Sequence, residues 1–449
     1  MAWQSMQARL RSAIPGLRLD GRAMLSMAAS LALRVTGLLG TFGLGLLLAR
    51  LWSPAEFGIY GLVISVAALA TTFCQLGTPQ LAVREFAVLS SENALAAVRV
   101  RSATFQLASL LASLVPVGVA GLLLLLDQPF LNVEPRFWLI GALLNVLAVQ
   151  TVVLSAGLRG VGQMTQGQFM DILGRPVAAL SLVAIAWLAF GHPSIETVLW
   201  LQLAVAFAAA ATCQYWLLRA TRSAEQRFSG PRKSWLGAAV PLGVIDVLRQ
   251  LDGTYGLILM GWLVAGTELG WFRVALACAA LINMPISVFH VVLAPRLAVL
   301  FRNGADGELQ ALLRKVSLML TAICGAIVLI LALFGEALVT LAFGAPYAGA
   351  AQPLLVIAIS QLAFSLFGMG PILLLMTDQE RPLTVIYVIA LVGGISAALA
   401  LIPPFGAIGA ALAQLVSLTI VGAGSDLVAR RRLGLRVSWL RVPGLSRAD

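Results

Sequence analysis

The chain has 449 residues, of which 60% are hydrophobic and 11% charged, with a mean hydropathy of +0.95. That composition excludes a soluble globular protein; runs of about 20 apolar residues, without the period-two alternation of a barrel, make it an α-helical polytopic membrane protein. The formal charge of +11 does not mark a nucleic-acid binder, because the arginines are scattered between apolar stretches and not gathered on one module.

The first 23 residues are basic and precede any apolar run, so they do not read as a cleaved signal peptide. Arg9, Arg11, Arg18 and Arg22 are expected to lie against anionic lipid headgroups. Apolar length and loop punctuation then predict twelve spans: 24–50, 56–77, 103–126, 137–158, 169–190, 198–218, 235–265, 269–293, 316–334, 353–376, 383–402 and 407–429. Ser53-Pro54, Asp127-Gln128-Pro129 and Pro403-Pro404 punctuate the connections.

With the N-terminus taken as cytoplasmic, 25 of the 30 Lys and Arg residues fall in segments on that side. This bias predicts an even number of spans with both termini in the cytoplasm. The longest polar connector, at 218–234, splits the chain nearly in half and divides it into a basic N-terminus (1–23), a six-helix lobe (24–220), a linker (221–234), a second lobe (235–430) and a basic tail (431–449). Glu56 and Glu268 open matching motifs 212 residues apart, Arg99 and Arg314 lie 215 apart, and Gln163 and Gln379 lie 216 apart. Steady offsets between halves that both begin inside predict a parallel pseudo-two-fold repeat.

The seventh span is anomalous, for it carries Asp246, Arg249 and Asp252 near mid-membrane. Each such charge costs roughly 2.5 to 3.5 kcal/mol at the centre of a span and persists where it faces a partner or a watery cavity. Asp246 and Arg249, three apart, could simply neutralise each other; as a cavity wall, Arg249 offers a guanidinium fork suited to phosphate. Arg34 lies deep in the first span, and Gly37, Thr41 and Gly45 on its face provide either space or a close helix contact. Arg273 sits about one turn inside the eighth span, where snorkelling and substrate contact are both open. Asp171 and Arg175, four apart, are expected to form an interfacial ion pair.

The intramembrane amides, Asn145 and Gln202 among them, read as hydrogen-bonding glue between helices, and His290 as a satisfied core imidazole or a proton-coupling group. The four cysteines sit in apolar spans without metal-ligand spacing and read as inert core. No catalytic constellation and no phosphate-binding nucleotide loop appear, so the chain is expected to be neither an enzyme nor directly coupled to ATP, and no cofactor is called for.

The stretch LRQLDGTYGLILMGWLVAGTELGWFRVALACAALINMPISVFHVVLAPRLAVLF, with FGIYGLVISVAALATTFCQLGTPQLAVRE, FGAPYAGAAQPLLVIAISQLA and LLMTDQERPLTVIYVIALVGGISAALALIPPFGAIGAALAQL, resembles bacterial polysaccharide flippases of the Wzx type. These belong to the multidrug/oligosaccharidyl-lipid/polysaccharide exporter superfamily, and the resemblance covers about residues 24–432. It implies two six-helix bundles that rock between inward-open and outward-open states in the bacterial inner membrane. The cargo it implies is an undecaprenyl-pyrophosphate-linked oligosaccharide for O-antigen, capsule or exopolysaccharide synthesis. Arg34, Arg249 and Arg273 would meet the pyrophosphate and its sugars. Asp246 and Asp252, with Arg34, would serve as coupling or gating groups, with H+ or Na+ as the coupling ion and polysaccharide polymerase machinery as a partner. Two alternatives stand beside this: a drug or toxin cation antiporter of the same superfamily, disfavoured because the first span offers Arg34 and no carboxylate, and a membrane glycan polymerase or ligase, disfavoured by short outer loops. The 212-residue offset also pairs Arg34 with Asp246 across the cavity and sets Gly37 and Gly40 opposite Arg249 and Asp252.

Overall fold

The computed structural model describes residues 21–92, 94–222 and 236–438, with side chains except at 21–31, 236–242 and 291. Arg9, Arg11, Arg18, the side chain of Arg22 and most of the linker therefore lie outside the described residues. Beyond one isolated bridge between Phe130 and Val133, the described structure is helices and their connections.

The first lobe runs α1 (Gly21–Leu51), α2 (Pro54–Cys74), α3 (Thr78–Ser91), α4 (Leu95–Leu125), α5 (Pro135–Gly160), α6 (Met164–Gln168), a π turn (Phe169–Gly174), α7 (Arg175–Phe190) and α8 (Ile195–Ala220). The second runs α9 (Leu236–Leu263), α10 (Gly266–Ile282), α11 (Met284–Arg302), α12 (Asp306–Phe343), a 3-10 turn (Ala345–Ala350), α13 (Ala351–Leu366), α14 (Gly370–Met376) and α15 (Glu380–Val428). Ten stretches among the described residues are long and apolar enough to cross a membrane. The last of them, Glu380–Leu433, holds two passes broken at Gly406; α9, at 28 residues, is long enough, but its three charges depress its hydropathy. Together these make twelve passes in two six-helix lobes.

Local chemistry explains the ends and breaks. Ser53 and Glu56 form a reciprocal capping box ahead of α2, with Pro54 at the first helical position. The second pass breaks at Leu76 and Gly77, both at positive φ, just before Thr78-Pro79; the eighth breaks at Asn283, just before Met284-Pro285. Pro403 and Pro404 stand inside the helix, and it is Gly406, at φ 52°, that turns the chain. Glu268 then caps the final pass, accepting from the Ala407 N–H at 2.8 Å. The repeat extends to backbone angles: Ala94 (φ −84°, ψ 50°) and Ala305 (φ −83°, ψ 55°) precede α4 and α12. Arg99 and Arg314, which precede the predicted spans 103–126 and 316–334, lie inside helices that start earlier than hydropathy alone suggests, at Leu95 and Asp306.

The core is asymmetric along the membrane normal. At the end carrying the 52–53, 264–265 and 344–350 connections, one apolar cluster joins both lobes through Trp52, Phe57, Tyr60, Phe272, Phe343 and Tyr347. Toward the other end the lobes hold separate clusters, one in the second lobe around Leu297, Leu313 and Leu374 and two in the first around Phe86 and Leu158. A shared apolar core thus ties the lobes at one end, while toward the other they meet through close backbone approach, Gly243 against Gly77, and through Gln80 and Asp246. The chain after α15 turns back at Gly434 and buries Leu435 and Val437 in the second lobe's cluster.

Candidate functional site

Helix α1 is drawn tightly onto the fifth pass by a stripe of small residues. A Cβ at Gly37 would collide with the Ile172 carbonyl, and one at Gly40 would lie 3.2 Å from Val177 Cγ2. Space and close contact, both open from sequence, are therefore divided within one helix: Gly37 and Gly40 make the contact, while Thr41 and Gly45 line a cavity of ≈ 320 Å³. The expectation that Gly37 and Gly40 would leave room opposite Arg249 is corrected, since both are filled by the fifth pass of their own lobe.

Polar groups enter this cavity from four elements of the first lobe and one of the second. Tyr60 on α2 accepts a hydrogen bond from the Gln202 amide on α8, Asp171 and Arg175 stand on the fifth pass, and Arg273 reaches in from α10. Gly61 makes room for that arginine: a Cβ there would lie 2.7 Å from its Cγ and Nε. The Nε of Arg273 is buried with no hydrogen-bond partner among the described residues. The cavity therefore presents two guanidinium groups and one carboxylate.

A second cavity, of ≈ 230 Å³, lies within the other lobe and takes Arg249 and Asp252 from α9, Asn283, His290 from α11, Gln361 from α13 and Tyr387 from α15. Asp252 accepts from the Ser417 hydroxyl. Two buried polar atoms have no hydrogen-bond partner among the described residues: His290 Nε2 and the Tyr255 hydroxyl, the latter packed where a Cβ on Gly394 would be 2.6 Å away.

The sequence-derived candidates are thus distributed. Arg249 and Asp252 share the second-lobe cavity; Arg273 lines the first-lobe cavity; Arg34 lines neither and is exposed. Asp246 turns to the other lobe and accepts from the Gln80 amide of α3. Among the described residues no ion pair joins Arg34 to Asp246, Asp246 to Arg249, or Asp171 to Arg175. The expected Asp171–Arg175 pair is corrected for a physical reason: the π turn Phe169–Gly174 breaks the four-residue register on which that pairing relies. Gln80, Tyr60 and the cavity-facing role of Arg175 were missed from sequence, although Gly174 and Pro176 around Arg175 were a signal of irregular helix there.

Comparison with known proteins fits this geometry. A sequence profile described as polysaccharide biosynthesis protein matches residues 29–301, and no curated protein matches the chain. Among solved structures, an inward-facing multidrug resistance MATE family transporter of the MOP superfamily superposes with a TM-score of 0.69 at 15% identity, covering 91% of this chain and 98% of its own. The lipid II flippase MurJ, in an inward closed conformation, gives 0.67 at 11% identity, covering 91% of this chain and 87% of its own. A MOP superfamily transporter from Pyrococcus furiosus gives 0.57 at 14% identity, covering 91% and 94%. At such identities these likenesses establish a common fold.

Proposed function

The chain belongs to the polysaccharide biosynthesis protein family, and on that premise we propose that it is a flippase carrying a lipid-linked oligosaccharide, on an undecaprenyl-pyrophosphate carrier, across the bacterial inner membrane. The observation that carries this reading is Arg273, which extends from the second lobe into a cavity between the lobes that Arg175 also lines, its Nε unpartnered among the described residues. A guanidinium on one lobe facing Arg175 on the other offers a phosphate two charge-assisted contacts that change as the lobes rock. The units that move are the lobes 24–220 and 235–430, and the shared core lies at the periplasmic end when both termini are cytoplasmic.

Coupling runs through the second lobe in this reading. Asp252, held by Ser417 beside Arg249 and His290, is the carboxylate suited to take H+ or Na+, while Asp246 and Gln80 latch the lobes on the cytoplasmic side. One charge moved through 100 mV supplies about 2.3 kcal/mol, enough to bias a two-state carrier. One observation favours the alternative of an organic-cation exporter, namely the Asp171 carboxylate in the first-lobe cavity; Arg175 and Arg273 outnumber it there.

Two measurements test the flippase reading. Deleting the gene should leave lipid-linked oligosaccharide on the cytoplasmic face, and the purified protein in proteoliposomes should move a fluorescent lipid-linked oligosaccharide between leaflets. Leaflet exchange no faster than in protein-free vesicles overturns it.

A further inference from the structure

The fifth pass interrupts its helical regularity at Phe169–Gly174, where six residues form a π turn between α6 and α7. Such turns widen a helix, redirect the side chains that follow and are frequent at functional sites. Beside this one, the fifth pass and α8 enclose a crevice of ≈ 640 Å³, larger than either polar cavity. Met170, Leu173, Val177 and Leu182 form one wall, and the small residues Ala204 and Ala208 form the other. Its lining is apolar apart from two threonines and Arg175.

Arg175 and Val205 belong to the linings of both the crevice and the polar cavity. The crevice and the cavity therefore lie on two sides of one seam, with a cation at the junction. Counted from Met164, the start of the pass, Arg175 lies about 16 Å along the helix, well inside the hydrocarbon. A resident glycerophospholipid keeps its phosphate at the membrane surface, out of reach of an arginine at that depth. A head group being carried across the membrane passes through it.

We propose that this crevice is a lateral seat for the prenyl chain of the carrier lipid: the first isoprene units lie between the fifth pass and α8, Arg175 holds the phosphate at the junction, and the sugars occupy the polar cavity. This rests on the flippase reading and adds the route by which the lipid enters. The chemistry is complementary on both sides of the seam, since a single methyl-branched chain needs an apolar slot floored by small residues and its pyrophosphate needs a deep cation.

The test uses the full chain in nanodiscs of phosphatidylethanolamine and phosphatidylglycerol, with undecaprenyl diphosphate bearing a diazirine on its second isoprene unit. Illumination should place adducts on Leu173, Val177, Ala204 or Ala208. An excess of unlabelled undecaprenyl diphosphate should reduce them more than tenfold, and the same excess of phosphatidylglycerol should leave them. Ala208→Trp, with Ala204→Ile as a gentler filling, should also reduce them more than tenfold while the protein stays monodisperse. Arg175→Gln should weaken competition by the diphosphate but not labelling by undecaprenol bearing the same diazirine. Equal displacement by phosphatidylglycerol means that bulk lipid fills the crevice and overturns the proposal. Competable adducts elsewhere on the chain overturn the crevice and leave the flippase reading standing, whereas no competable adduct anywhere sinks both.

Discussion

Arg50, in the last turn of α1, donates from Nε to the carbonyl of Ala342 at 2.6 Å and from Nη2 to the carbonyl of Leu341. Those carbonyls belong to the last turn of α12, where a helix leaves its acceptors unsatisfied and its dipole favours a cation. The contact ties the lobes at their joined end, beside a Tyr347 hydroxyl that donates to the Trp52 carbonyl at 3.1 Å and a Phe42–Phe343 edge contact at 5.9 Å. Removing the guanidinium weakens the joined end by about 1 kcal/mol, several-fold in the equilibrium between states. In Arg50→Gln, spin labels placed on the two lobes at this end should report a larger population of the separated distance; an unchanged distribution refutes the latch.

Gly61 exists to admit Arg273, and this can be separated from packing. Gly61→Ala should displace the guanidinium and lower flipping in proteoliposomes to the level of Arg273→Ala. Combined with Arg273→Ala, it should add almost nothing, because both changes remove one interaction. Additive losses would assign Gly61 to helix contact alone.

Second-lobe chemistry predicts a division of labour between two carboxylates on one helix. Asp252→Asn should abolish the dependence of flipping on an imposed ion gradient or voltage, whereas Asp246→Asn should keep that dependence and change the fraction of lobes closed at the Gln80 side. Flipping assayed with and without gradients decides it, and the same response from both variants contradicts the assignment.

Arg249 shares its cavity with Asp252, so Arg249→Ala leaves a carboxylate with one hydroxyl partner. Loss of export is expected with normal membrane insertion, and Arg249→Lys should restore it in part, because an ammonium keeps the charge without the planar fork. Full export by the alanine variant returns the residue to a structural role.

Gly37 tests the first lobe's architecture. Any side chain there meets the Ile172 carbonyl, so Gly37→Val should destabilise the protein by about 1–3 kcal/mol through overpacking, read as a lower thermal midpoint in detergent, while Gly253→Ala, where a Cβ meets nothing, should leave it unchanged. Equal midpoints would mean that α1 can slide off the fifth pass.

Much of the fold follows from local rules that act within a turn or two of helix. Hydropathic length yields the passes, Ser53-Pro54 and Glu56 start α2, and the spacing of Gln163 and Gln379 follows the repeat: both residues precede a helix with similar backbone angles. The charges of α9 announced themselves because a charge at that depth persists only where it faces a partner or a cavity. Which partner each has depends on rotation and tilt of whole helices, and these are set by packing between segments far apart in sequence. A repeat offset relates equivalent positions in two lobes but says nothing of which faces meet, so it put Gly37 opposite Arg249 when a carbonyl of the fifth pass fills that place. The Asp171–Arg175 spacing presumed an α-helical register that the π turn removes, and Asp246 found Gln80 because α3 follows a kink whose angle no local rule supplies. The sequence by itself determined that this is a two-lobed helical membrane protein with charges inside the membrane. The tertiary structure alone decided that Arg273 lines a cavity between the lobes, that Arg249 and Asp252 share a cavity of their own, and that one apolar core joins the lobes at one end while Asp246 meets Gln80 toward the other, because cavities and interfaces arise only where side chains from distant helices are packed together.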